Sequence, residues 1–153
     1  MIRTAAAIAA TLLFVSIPLA PGVTEPAPTA RSLRIVPLSI ATKGRPRRFR
    51  VEVAATPDQQ ETGLMYRRTM PADHGMIFPM NPPRPASFWM KNTYLPLDII
   101  FIGPDKRIIR IAENAVPLSL DLIDCPQPAA AVLELNAGAV RAEGIAVGDR
   151  VSW

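Results

Sequence analysis

Cysteine occurs once in these 153 residues, at position 125, and histidine once, at position 74. A lone thiol closes no intramolecular disulfide. One thiol and one imidazole also exclude a multi-histidine metal site and a thiolate zinc cluster. A Gly-x-Ser-x-Gly elbow is absent, as is a glycine-rich phosphate loop ending in Lys-Ser or Lys-Thr, which removes two familiar catalytic frameworks. Charged residues are only moderately abundant and the formal net charge is +4. No apolar run reaches the roughly 20 residues needed to cross a hydrocarbon core. Aromatics make up just 6 % of the chain, so any place where two stand together calls for an explanation.

What is present begins with a leader. Met1-Ile2-Arg3 gives a positive start, Thr4 to Ile17 is almost wholly apolar, and Pro18-Leu19-Ala20-Pro21-Gly22 breaks the run beside small residues. This is the plan of a secretory signal peptide over residues 1–22. No cysteine follows it to carry a lipid. The Pro/Ala/Thr-rich stretch 23–32 reads as a disordered linker. A single globular domain is expected over 33–153, in a protein that is exported to the periplasm or secreted. In that setting the basic cluster Lys43, Arg45, Arg47, Arg48 and Arg50 suits an anionic envelope surface better than nucleic acid. A solvated hairpin edge kept positive against aggregation is the plainer account of it.

Residues 33–40 and 47–54 predict an opening hairpin around the turn Lys43-Gly44-Arg45-Pro46, with Phe49, Val51 and Val53 on one face. Thr56-Pro57-Asp58-Gln59 predicts a helix with a capping box, running to about Tyr66 or Arg68. Gly63 within it offers a close approach to another backbone. Strands are expected at 75–80, 86–92, 97–102, 107–112, 132–135 and 150–153. The proline-bearing stretches 81–85 and 113–130 are expected as loops, and 137–144 as one or two helical turns. The fold class is therefore mainly β: a compact β-sandwich or partly closed barrel with one α-helix packed at one end.

Most chemistry is concentrated in Phe88-Trp89-Met90-Lys91-Asn92-Thr93 and in Asp98, at the mouth of the apolar strand Leu97–Ile102. One account is structural: a buried Trp89, a Lys91–Asp98 pair fixing a hairpin, and Asn92 bonding its own turn. The other is a pocket, in which Trp89 gives a flat apolar platform for a sugar ring or a cationic group. Lys91, Asn92 and Asp98 would then fix orientation, and Arg67 would add a bidentate contact to a carboxylate or phosphate. The methionines Met65, Met70, Met76, Met80 and Met90 are read as flexible core fillers rather than a soft Cu(I) site. Cys125 is read as a small buried residue rather than half of a nucleophile pair with His74.

Four blocks carry a resemblance in order and spacing: Thr62-Gly63-Leu64-Met65-Tyr66-Arg67; Gly75-Met76-Ile77-Phe78; Phe88 to Thr93 with Pro96 to Ile102; and Val132-Leu133-Glu134-Leu135 with Ala137-Gly138 and Gly148-Asp149. From about Phe49 to Val151 the chain resembles the bacterial and archaeal family called domain of unknown function 192. The resemblance implies a compact, sandwich-like β fold and brings no established activity, cofactor or metal. Only candidate positions transfer: Met65, Arg67, Met76, Trp89, Met90, Lys91, Asn92, Thr93 and Asp98. The functional expectation is a non-enzymatic envelope domain that binds a small molecule or glycan. The alternatives are a small enzyme on a glycan or envelope polymer, with Asp98 as acid or base and Lys91 tuning it, and a purely structural interaction module.

Overall fold

Period-two alternation builds the first hairpin as expected. The computed structural model describes residues 33–153; the leader and linker expected before them lie outside the described residues. Strands β1 (Ile35–Ala41) and β2 (Arg47–Val53) pair antiparallel with Leu38 opposite Phe49. Phe49, Val51 and Val53 are buried while Arg48 and Arg50 face water. Arg47 is drawn down onto Glu143, with an ion-pair distance of 3.0 Å, while the other basic residues of the hairpin stay exposed.

Helix α1 (Pro57–Thr62) carries the capping box: Gln59 N–H donates to Thr56 Oγ1 at 3.3 Å, and Thr56 N–H donates to Gln59 Oε1 at 3.1 Å. It stops earlier than the sequence predicts because Gly63 turns to φ +48, outside helical space. A Cβ at Gly63 would meet the Phe78 ring at 3.3 Å. The glycine therefore admits an aromatic side chain rather than a second backbone. The helix is the crossover between β2 and β3 (His74–Phe88), which run parallel, as such a connection requires.

The remaining strands are β4 (Leu97–Ile102), β5 (Ile108–Ala115), β6 (Ile123–Asn136) and β7 (Arg150–Ser152), with a second short helix α2 (Ala139–Glu143) before the last. The seven strands form one sheet in the order β5-β4-β6-β3-β2-β1-β7. Its two edges meet at one end: Ile108 N–H donates to Asp149 O, Gly148 N–H to Ile108 O, and Val151 N–H to Lys106 O, at 2.8–2.9 Å. The fold is the partly closed barrel of the two architectures expected.

Two of the expected loops are strands. The proline-rich stretch 81–85 continues β3, and residues 123–130 belong to β6; only 116–122 connects β5 to β6. The two proline-bearing stretches pair with each other, and the ladder shifts register between Pro79 and Arg84 and again between Arg84 and Ala86. Prolines that cannot donate are tolerated where the ladder is already irregular. Conversely, the strand expected over 86–92 ends at Phe88, and Trp89 to Asn92 turn away from the sheet.

Both faces of the sheet are covered. The enclosed face takes apolar side chains from all seven strands, among them Leu38, Val51, Ile77, Ile100, Ile108, Leu133 and Val151. The opposite face carries Met76, Phe78, Leu97, Ile99, Phe101 and Val132, covered by Leu64, Met90 and Leu95. Every residue of β4 is buried, as its unbroken apolar run predicts.

Candidate functional site

The second face holds one residue that does not belong to its chemistry. Glu134 on β6 lies opposite Met76 of β3 and Ile99 of β4, and is 5 % exposed. None of the described residues hydrogen-bonds to its carboxyl or forms an ion pair with it. Burial alone pushes this carboxyl from the ordinary 4.5 up to about 8, because the charged form loses its water. At neutral pH Glu134 is a neutral carboxylic acid, able both to donate and to accept a hydrogen bond.

Glu134 lines a cavity of about 260 Å³. One wall is the end of α1 with Gly63, Leu64 and Met65; the other is the proline arm of β3 from Met80 to Phe88; Trp89 and Thr93 close the rim. The walls are tied in place. Gln60 Nε2 donates to Pro79 O at 2.8 Å and to Ala54 O at 3.1 Å, fixing α1 to the base of the arm. Tyr66 N–H donates to Asn92 O at 2.8 Å, and Asn92 Nδ2 returns a bond to Tyr66 Oη at 2.9 Å. Tyr66 and Asn92 both sit at positive φ, 64° and 55°, strained for side-chain-bearing residues. Phe88 packs edge-on against both Phe78 and Phe101, with centroids 5.2 and 6.2 Å away. Thr93 is held in turn, its Oγ1 donating to Lys91 O at 3.2 Å.

Residues 38–153 match the family of proteins described as "Uncharacterized ACR", domain of unknown function 192. The chain belongs to this family. Two solved structures are similar to this domain of unknown function 192 protein. One is a Sinorhizobium meliloti 1021 protein called a putative transcription regulator, 50 % identical over 79 % of this chain and 95 % of its own, with a TM-score of 0.77. The other is a Novosphingobium aromaticivorans DSM 12444 protein of unknown function, 44 % identical over 86 % of this chain and 94 % of its own, with a TM-score of 0.78. No functionally curated protein matches the sequence. The match covers nearly the whole of each solved chain.

The candidate positions of this family member divide into three groups. Trp89, Thr93 and Met65 line the cavity, and Asn92 buttresses it through Tyr66 and through Met65 Sδ at 3.8 Å. Trp89 is 44 % exposed, with Lys91 Nζ 4.9 Å from its ring. Met76 and Met90 are core. Arg67 is engaged by both carboxylate oxygens of Glu52, one at 2.7 Å; these hydrogen bonds raise its pKa further and leave a ligand no free fork. Asp98 is fully buried on the enclosed face, accepting from Asn114 N–H and Val140 N–H at 2.9 Å each, and stands apart from the cavity. The Lys91–Asp98 pair of the structural account is not formed. His74 opens β3, paired with Asp73, while Cys125 is buried opposite Ala86 near the other end of that strand, so the two do not meet.

Sequence reasoning missed Glu134 and the rim residue Arg84. A signal for the first was available: Glu134 is the one charged residue in Ala129-Ala130-Ala131-Val132-Leu133-Glu134-Leu135. A carboxylate in a strand that apolar on both faces has to be paired, neutral or functional.

Proposed function

We propose that the domain binds a small neutral polar molecule, with a single sugar ring the best fit, and that it does so as an exported envelope protein. The observation that carries this is a half-exposed Trp89 at the rim of a cavity floored by an unpartnered carboxylic acid. Tryptophan supplies an apolar platform for the C–H face of a sugar. A neutral carboxyl both gives and receives hydrogen bonds, as hydroxyls do. The cavity, at about 260 Å³, lies just under the roughly 300–1,000 Å³ typical of drug-sized ligands, which argues for one ring rather than a chain. Export rests on the charged start, apolar run and small-residue break of residues 1–22.

Catalysis on a glycan has one point in its favour, a protonated acid in a cleft. Glycoside hydrolysis commonly needs two carboxylates flanking the bond. Asp98, the acid or base of that reading, is committed to two backbone N–H groups away from the cavity. The second acid that lines the cavity, Glu61, is an exposed residue of α1 in contact with water rather than an enclosed partner of Glu134. Binding is therefore the stronger reading. Among the described residues the helices are six and five residues long, too short to serve as recognition helices, and lend no support to the regulator name of the Sinorhizobium relative.

The test is calorimetric titration of residues 33–153 with pentoses, hexoses and amino sugars, alongside native mass spectrometry of the gently purified protein. At least one sugar should bind with Kd tighter than about 1 mM, and Trp89→Ala should weaken it at least tenfold without unfolding the domain. Absence of heat with every sugar, together with an adduct-free mass, would sink the proposal.

A further inference from the structure

Among the described residues nine large apolar or aromatic side chains are exposed, and seven of them fall on three segments joined in series by backbone hydrogen bonds. Tyr66 N–H donates to Asn92 O, Leu118 N–H to Thr93 O, and Met90 N–H to Ser119 O, at 2.8–3.1 Å. These bonds set the segment that carries Trp89 and Tyr94 between Tyr66 on one side and the loop 116–122 on the other. In that loop Val116, Leu118, Leu120 and Leu122 are each more than half exposed. Every second residue of the loop is thus an aliphatic chain in water, while Ser119 is half-buried. Exposed apolar patches of this kind mark protein or membrane contacts.

The chemistry around the leucines chooses between these. Tyrosine and tryptophan are the side chains enriched where one end is apolar and the other wet, at the headgroup level of a bilayer. Two of these rings carry a cation on the face: Arg68 Cζ lies 4.7 Å from the Tyr94 centroid and Lys91 Nζ 4.9 Å from that of Trp89. Neither cation forms an ion pair among the described residues, so both charges are available to phosphate. The acid in the loop, Asp121, is exposed between Leu120 and Leu122, accepts from Ser119 Oγ at 3.0 Å, and is outnumbered by these two cations. Aliphatic, aromatic and unpaired cationic side chains are the three kinds that acyl chains, interface and headgroups take.

We propose that this face docks peripherally on a bilayer containing anionic lipids. Leu118, Leu120 and Leu122 enter the acyl boundary, Tyr94 and Tyr66 lie at headgroup depth, and Lys91 and Arg68 meet lipid phosphates. The proposal does not depend on what the cavity binds, although Trp89 borders both.

The experiment is co-sedimentation of residues 33–153, a compact unit that the two solved relatives match over nearly their whole length, with two kinds of vesicle. One is phosphatidylcholine alone, and the other contains about one-third phosphatidylglycerol, the anionic arm. The protein should pellet with the anionic vesicles and several-fold less with the neutral ones. Leu118→Asp/Leu120→Asp should cut the bound fraction at least tenfold with an unchanged melting temperature, since both side chains are already in water. Arg68→Ala/Lys91→Ala should abolish the preference for anionic vesicles. A wild-type domain that stays in the supernatant with both overturns the proposal, as does an aspartate variant that pellets equally. Concentration-dependent dimerisation abolished by the same aspartates, without vesicle binding, would reassign the face to a second copy of the chain.

Discussion

Asp98 and Glu134 sit one residue out of step on paired strands, since Asp98 lies opposite Leu135 and Ile99 opposite Glu134. The two carboxyls therefore emerge on opposite sides of the same sheet. On the enclosed side, Asp98 accepts one backbone N–H from Asn114, at the end of β5, and one from Val140, in the first turn of α2. Both oxygens are used, and the one facing Val140 N–H does the work of a cap for a helix that has no side-chain cap of its own. On the other side, Glu134 has no partner and keeps its proton. The two buried carboxyls differ in their surroundings: backbone donors meet Asp98, whereas thioether, methyl and cavity meet Glu134. One carboxyl is part of how the sheet is held; the other is available.

Removing the acceptors gives the sharpest test of that contrast. Asp98→Ala should strand two inward-facing N–H groups and destabilise the domain by about 3–5 kcal/mol, read from the urea midpoint; a loss below about 1 kcal/mol would erase the distinction. Glu134→Gln should act in the other direction and only at high pH. Because the folded carboxyl is raised to about 8 from 4.5, the native state holds a proton that the unfolded chain has released between those values. Wild-type stability therefore falls as pH rises through that window and levels off above it. Glutamine does not titrate, so the variant should be more stable by about 2–4 kcal/mol at pH 9 and within about 0.5 kcal/mol of wild type at pH 5. Parallel melting curves at both pH values would mean Glu134 ionises freely. Asn92→Ala is the mildest case, removing the Tyr66 bond from the cleft wall. It should cost about 1–2 kcal/mol by thermal denaturation and loosen the rim while leaving the Asp98 side intact.

The sheet itself was legible because its strands alternate or run apolar without a break: β2, β4 and the capping box of α1 stand where the residues place them. The proline arm was not, because proline rules describe regular ladders, and here two irregular stretches pair with each other. In the site, Trp89, Thr93 and Met65 were identified by type and do line the cavity. Arg67 and Asp98 were identified by the same reasoning and are spent on Glu52 and on backbone. Side-chain type says what a group can bond, whereas the fold decides what reaches it first. Glu134 was passed over because an acid inside an apolar block looks like part of a motif until the neighbours on both adjacent strands are known.

The joining of β5 to the segment around β7 has a consequence for how the chain is made. β7 pairs with β1, the first strand, and the Gly148–Val151 segment pairs with the start of β5. Both contacts await the last strand in order. Until it is available, the nascent domain is an open curled sheet with two unpaired edges, and the loops closed by that final strand are among the longest the fold contains. Assembly is therefore expected to finish late and from the C-terminal side.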